Sequence, residues 1–120
     1  MTAQASAVAR AAAERLAPEL GDGLPFDVET ALAADHGPGA QRYLDPISLA
    51  GLVVAVASFA WTVYRDLRAT SGEVAPDVLA RTVRVELRAT HNADPALRDR
   101  IVEVVVEEVT RRGDEAGNGA

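Results

Sequence analysis

Apolar residues recur along most of this chain at the three- and four-residue spacing of a helix. In 3–17, "AQASAVARAAAERLA", Val8, Ala12 and Leu16 fall on one face with Ala5 and Ala9 beside them. Alanine is the best helix former, and Arg10 and Glu14 stand at i, i+4, so the pattern predicts a helix that ends before Pro18. Its apolar face is shallow, and alone such a helix is marginal. A second amphipathic stretch runs from Pro76 to Arg88, with Val78, Leu79, Val83 and Leu87 as its apolar face. A third follows Asp94-Pro95, a cap-plus-proline start signal, and carries Leu97, Ile101, Val105 and Val109 with Val102 and Val106 alongside. Glu103, Glu107 and Arg111 share a different face of it. The run "IVEVVV" is rich in β-branched residues and could suit a strand, but the cap, the length and the charged face favour a helix over 95–112.

Breakers divide these elements. Residues 18–44 hold Pro18, Gly21, Gly23, Pro25, Gly37, Pro38 and Gly39, which read as loop with one short helix, about Asp27 to Ala34. "SGEVAP" at 71–76 is a short linker, and Gly113 to Ala120 reads as a disordered tail. The expected fold is all-α. One long apolar helix, about 46–70, follows an N-terminal helix and a Gly/Pro-rich loop (1–44) and precedes an amphipathic helical hairpin (76–112).

The long helix is "DPISLAGLVVAVASFAWTVYRDLR", Asp45 to Arg68. Asp45 can cap it, Pro46 suits its first turn, and Ser71-Gly72 ends it. Between Ile47 and Tyr64 there are 18 residues and no charge. At 1.5 Å per residue they reach about 27 Å, against roughly 30 Å of bilayer hydrocarbon. Tyr43 near one end, and Trp61, Tyr64, Arg65 and Arg68 at the other, resemble the anchors of a membrane interface. Eight Leu, Ile, Val or Phe residues in the run favour insertion by about 2.5–5 kcal/mol, with Ser48, Gly51, Ser58 and Thr62 opposing it. The first reading is therefore a single-pass membrane helix. The small excess of Arg after the run places the C-terminus in the cytoplasm. The alternative is a soluble cytoplasmic bundle with 47–64 as its buried central helix, wrapped by the amphipathic helices.

Within the run, Ser48, Gly51, Ala55, Ser58 and Thr62 are spaced 3, 4, 3, 4. All are small, and they line one seam of the helix. Leu49, Val53, Val56 and Val63 occupy the other side, with Phe59 on its flank. Such a seam lets two helix backbones approach, and its hydroxyls can bond across. It predicts self-association or docking of a partner helix.

Composition narrows the function. The chain has 120 residues, enough for one small domain, with 48% apolar but only 4% aromatic residues, so a core must be built from small side chains. All 12 basic residues are Arg, as GC-rich coding would produce. A net charge of −6 argues against a nucleic-acid partner. The absence of Cys removes disulfides, thiolate metal sites and Cys nucleophiles. His36 and His91 are the two histidines, both in expected loops, and neither has the companions a metal site needs. "GDG" at 21–23 and "HGPG" at 36–39 lack a phosphate-binding context, and no nucleophile elbow or HExxH occurs. Arg81, Arg84 and Arg88 form a basic stripe that reads as a solvated face paired with Asp77 and Glu86. No catalytic residue, cofactor, metal or small-molecule substrate is indicated.

The order "LPFDVETALAA", a Gly/Pro loop, "YLDP", an apolar run ending "WTVYRDLR" and a helical hairpin resembles small actinobacterial accessory proteins of caspase-like and other protease-linked conflict systems. The likeness covers about residues 14–110. It implies a non-enzymatic adaptor or membrane-associated accessory component, with a protein partner, and carries over no functional residue.

Overall fold

The structure, a computed structural model, describes residues 2–34, 49–90 and 94–119. Five helices and no strand occur among them: α1 (Ala3–Leu20), α2 (Leu24–Ala34), α3 (Leu49–Ser71), α4 (Pro76–Thr90) and α5 (Pro95–Gly119). The all-α expectation and its long apolar helix are thus both present. Ser48 and Tyr43, like His36 and His91, lie outside the described residues.

Local chemistry accounts for the helix ends. The Thr2 hydroxyl accepts the Ala5 amide at 3.1 Å and caps α1. The expected stop before Pro18 does not occur: α1 runs on to Leu20, with Pro18 in its last turns. Proline removes one amide there, but Leu16 is fully buried, Leu20 packs on the core, and the Gly21 amide closes the helix on the Ala17 carbonyl at 2.9 Å. At φ +135° Gly21 takes a conformation that disfavours a side chain. α2 begins at Leu24, three residues before the expected Asp27. Pro25 sits in its first turn, where a missing amide costs nothing. The Asp94 carboxylate accepts the Ala96 amide at 2.9 Å and caps α5 as the sequence predicts.

α3 packs against each of the other four helices, and α5 against α1, α3 and α4. The core is correspondingly fine-grained. Ala5, Val8, Ala9, Ala12, Ala13 and Leu16 come from α1; Val53, Val56, Ala57 and Ala60 from α3; Ile101, Val104, Val105 and Val109 from α5. On α4 the buried face is Leu79, Val83 and Leu87, whereas Val78, expected to join them, is 45% exposed. Leu79 sets an i, i+4, i+8 line that leaves its neighbour outside.

The C-terminal boundary also moves. α5 continues to Gly119 where a disordered tail was expected from Gly113. Glycine inside a helix costs about 1 kcal/mol relative to alanine, so sequence alone suggests a stop. Gly113 is instead buried against Tyr64 of α3, and a Cβ built on it would stand 2.7 Å from the ring's Cε1 and overlap the hydroxyl. This contact needs glycine.

Candidate helix-association site on the central helix

The bundle leaves one side of α3 facing out, and it is the small seam. Ala55 and Ser58 are half-buried and Thr62 is exposed; Gly51, nearer the helix start, is buried. Phe59 flanks the stripe, and Val63, expected on the opposite side, lies only about 100° from Thr62; both are half-buried. Of the residues opposite the seam, Val53 and Val56 are fully enclosed. The seam therefore forms a shallow outer track about two turns long, closed at its Gly51 end. The Thr62 hydroxyl donates to the Ser58 carbonyl at 3.0 Å, so its proton is engaged within the helix and its lone pairs remain to accept.

The aromatic and Arg anchors sit differently. Trp61 and Tyr64 are 9% and 5% exposed and stack with ring centroids 5.5 Å apart and planes inclined by 19°. Arg68 Nη1 donates to the Tyr64 hydroxyl at 2.7 Å and to the Gly113 carbonyl at 3.1 Å. Tyr64 and Arg68 thus bind α3 to α5 at Gly113, with Trp61 stacked behind the tyrosine ring. Arg65 is exposed. Arg81 of the basic stripe is exposed and Arg84 half-buried.

Charged side chains fasten α1 at three places. Arg10 pairs with Glu29 of α2 rather than with Glu14. Glu19 accepts from Arg100 of α5 at 2.5 and 2.9 Å. Arg15 reaches Glu107 at 2.6 Å and Glu108 at 3.2 Å, and Glu108 also pairs with Arg111. Hydrogen bonding to Glu107 raises the Arg15 pKa, and hydrogen bonding to Arg100 holds the Glu19 carboxyl below its ordinary value.

Glu108 has a fully enclosed side chain, yet the sequence pattern of charged positions passed over it. The signal was present: Glu108 stands seven residues after Ile101 and four after Val104, on the buried side of α5. Gly113 was read as a terminator, and nothing local marks it as a socket for Tyr64.

Among the described residues no three His, Asp or Glu side chains converge as metal ligands. The arrangement offers helix packing surfaces and structural ion pairs. No protein-family model matches the chain, and no match is found among curated proteins or solved structures.

Proposed function

We propose that this chain is a non-enzymatic helical interaction domain that self-associates through the outer face of α3. Four helices pack on α3, and the side they leave outward is the one whose small residues admit a second helix at close range; that observation carries the reading. In this reading the bundle is soluble and α3 is its central helix. Two features support that choice. Trp61 and Tyr64 are spent on internal packing. The apolar faces of α1, α4 and α5 have α3 as their shared cover.

Sedimentation of the full chain over a wide concentration range tests it. Ala55→Arg and Thr62→Arg, on half-buried and exposed positions, should abolish association while leaving the helical spectrum and melting temperature close to those of the parent. A chain that stays monomeric to high micromolar concentration overturns the proposal.

A second reading rests on one observation: α3 is long and apolar enough, by length and composition, to cross a membrane. It makes the chain a single-pass accessory protein with a cytoplasmic C-terminus that recruits a partner. Carbonate-resistant pelleting of the expressed chain, lost in Val54→Arg, would favour this reading over the first. Arg at the centre of the span costs about 2.5–3.5 kcal/mol of insertion.

A further inference from the structure

Three helices close the core without α4. α1, α3 and α5 each pack on the other two, and α2 packs on α1 and α3. The ion pairs of Arg10, Arg15 and Glu19 and the bonds of Arg68 join these four helices to one another. α5 also has its own start, since the Asp94 carboxylate caps it at the Ala96 amide. α4 is laid over this frame, on α3 and α5.

Its hold is narrow. Of the five Val and Leu side chains of α4, Val78 and Val85 are 45% and 56% exposed. Leu79, Val83 and Leu87 remain, a single buried line about 12 Å long. α1 by contrast buries seven side chains among three neighbouring helices. Beside the line of α4 the seam with α5 is open. A groove of about 490 Å³ runs there between Pro76, Ala80 and Arg84 of α4 and Ala96 and Val106 of α5. A second cleft, of about 360 Å³, is lined by the linker at 72–75 with Tyr64, Arg68 and Asp114. Space at both places takes away packing partners that the inner helices have. The linker also allows movement. It starts at Gly72, with φ +78°, and its four residues reach about 13–14 Å when extended, just over the 10–12 Å diameter of a helix.

We propose that α4 is a strap that opens from the bundle as one unit while α1, α2, α3 and α5 stay packed, and that when closed it hides the apolar surface of α3 and α5 beneath Leu79, Val83 and Leu87. An element with few buried apolar contacts opens at lower free energy than the core it rests on. The opened strap has 15 residues, a length at which an isolated helix is marginal in water, so its amides lose protection together. This device does not depend on association at the outer face of α3.

The full chain holds no cysteine, so a single introduced thiol reports opening. Val53, Val83 and Val105 are each 0% exposed, on α3, α4 and α5. The variants Val53→Cys, Val83→Cys and Val105→Cys are labelled with a thiol reagent under native conditions, and the global stability of each is measured in urea. Corrected for global unfolding, Val83→Cys should react at least about tenfold faster than the other two. Hydrogen exchange of the parent chain gives a second readout that needs no variant. Amides of residues 79–87 should exchange at one common rate, faster than those of α3 and α5, and with a urea dependence that is measurable but below that of global unfolding. Equal labelling rates in the three variants, or α4 amides that exchange only with the whole bundle, overturn the proposal. Exchange of α4 that ignores urea overturns it too, because it would mean fraying residue by residue rather than the opening of a unit.

Discussion

Replacing Gly113 by alanine is an informative single change in this chain, because local and tertiary effects have opposite signs. In an exposed helix the change stabilises by about 1 kcal/mol, through the higher helix propensity of alanine. Here the new Cβ meets the Tyr64 ring and hydroxyl. Tyr64 cannot simply swing aside, since it is 5% exposed, stacked on Trp61 and bonded to Arg68. Overpacking of this kind costs about 1–3 kcal/mol, and displacing the hydroxyl from Arg68 costs about 1 kcal/mol more. After the gain in propensity, Gly113→Ala should destabilise by about 1–3 kcal/mol.

Urea unfolding followed by far-ultraviolet dichroism measures this directly. The fluorescence of Trp61, the sole tryptophan, gives an independent probe beside the disturbed ring. Tyr64→Ala in the same chain removes the obstacle. The double variant should then be less destabilised than the sum of the two single changes, by about 1 kcal/mol or more, as expected for residues in contact. Tyr64→Phe should not rescue, because the ring carbon Cε1 is itself too near. A Gly113→Ala protein equal to or more stable than its parent would refute the packing of Tyr64 on α5. It would also return Gly113 to the role of helix terminator that its sequence context suggests.

Two further outcomes follow from the ion pairs. Glu108→Leu should be no less stable than Glu108→Gln in thermal melts, because Arg15 keeps Glu107 and both arginines reach solvent, so an apolar side chain replaces a costly buried charge; a Leu variant markedly worse than the Gln variant would contradict this. Stability should fall on acidification through Glu19: its pKa is lowered on folding from an ordinary value near 4.5, so the Arg100 contact contributes fully above that pH and is lost as pH drops through the folded value. The stability gap between the parent and Glu19→Gln should therefore narrow from pH 7 to pH 3, and a gap unchanged across that range would remove the ion pair as its cause.

The long elements were legible in the sequence because α1, α4 and α5 each had a periodic apolar face and α3 an unbroken apolar run. Asp94-Pro95 fixed one boundary to the residue, and Leu79, Val83 and Leu87 marked the buried side of α4. The misjudged positions share a cause: a local rule was outweighed by packing that the sequence does not display. Pro18 and Gly113 are breakers by local preference, yet Leu16, Leu20 and Tyr64 hold both inside helices. Trp61, Tyr64 and Arg68 satisfy a membrane-belt pattern in sequence. The same amphipathic ends suit an internal stack capped by a guanidinium, because both environments reward an apolar body with a polar tip.

The two sides of α3 bear on function together. At 100° per residue, Tyr64 lies about 160° around the helix from Thr62, so the aromatic lock and the small seam occupy nearly opposite faces. The inner face carries bulk: Val53, Val56, Trp61 and Tyr64 are all buried in the core that α3 shares with its neighbours, and Tyr64 meets Gly113 of α5. The outer face carries what water tolerates at least cost in an otherwise apolar helix, namely alanine and two hydroxyls, that of Thr62 bonded to the helix's own backbone. A helix buried on all sides would have no reason to keep Ser58 and Thr62 in register, and a solvated one would carry charge there. Small, uncharged and outward is the combination that a second helix can cover without leaving a buried charge and without disturbing the bundle beneath. The proposed association face follows from that division of labour rather than from the 3, 4, 3, 4 spacing alone.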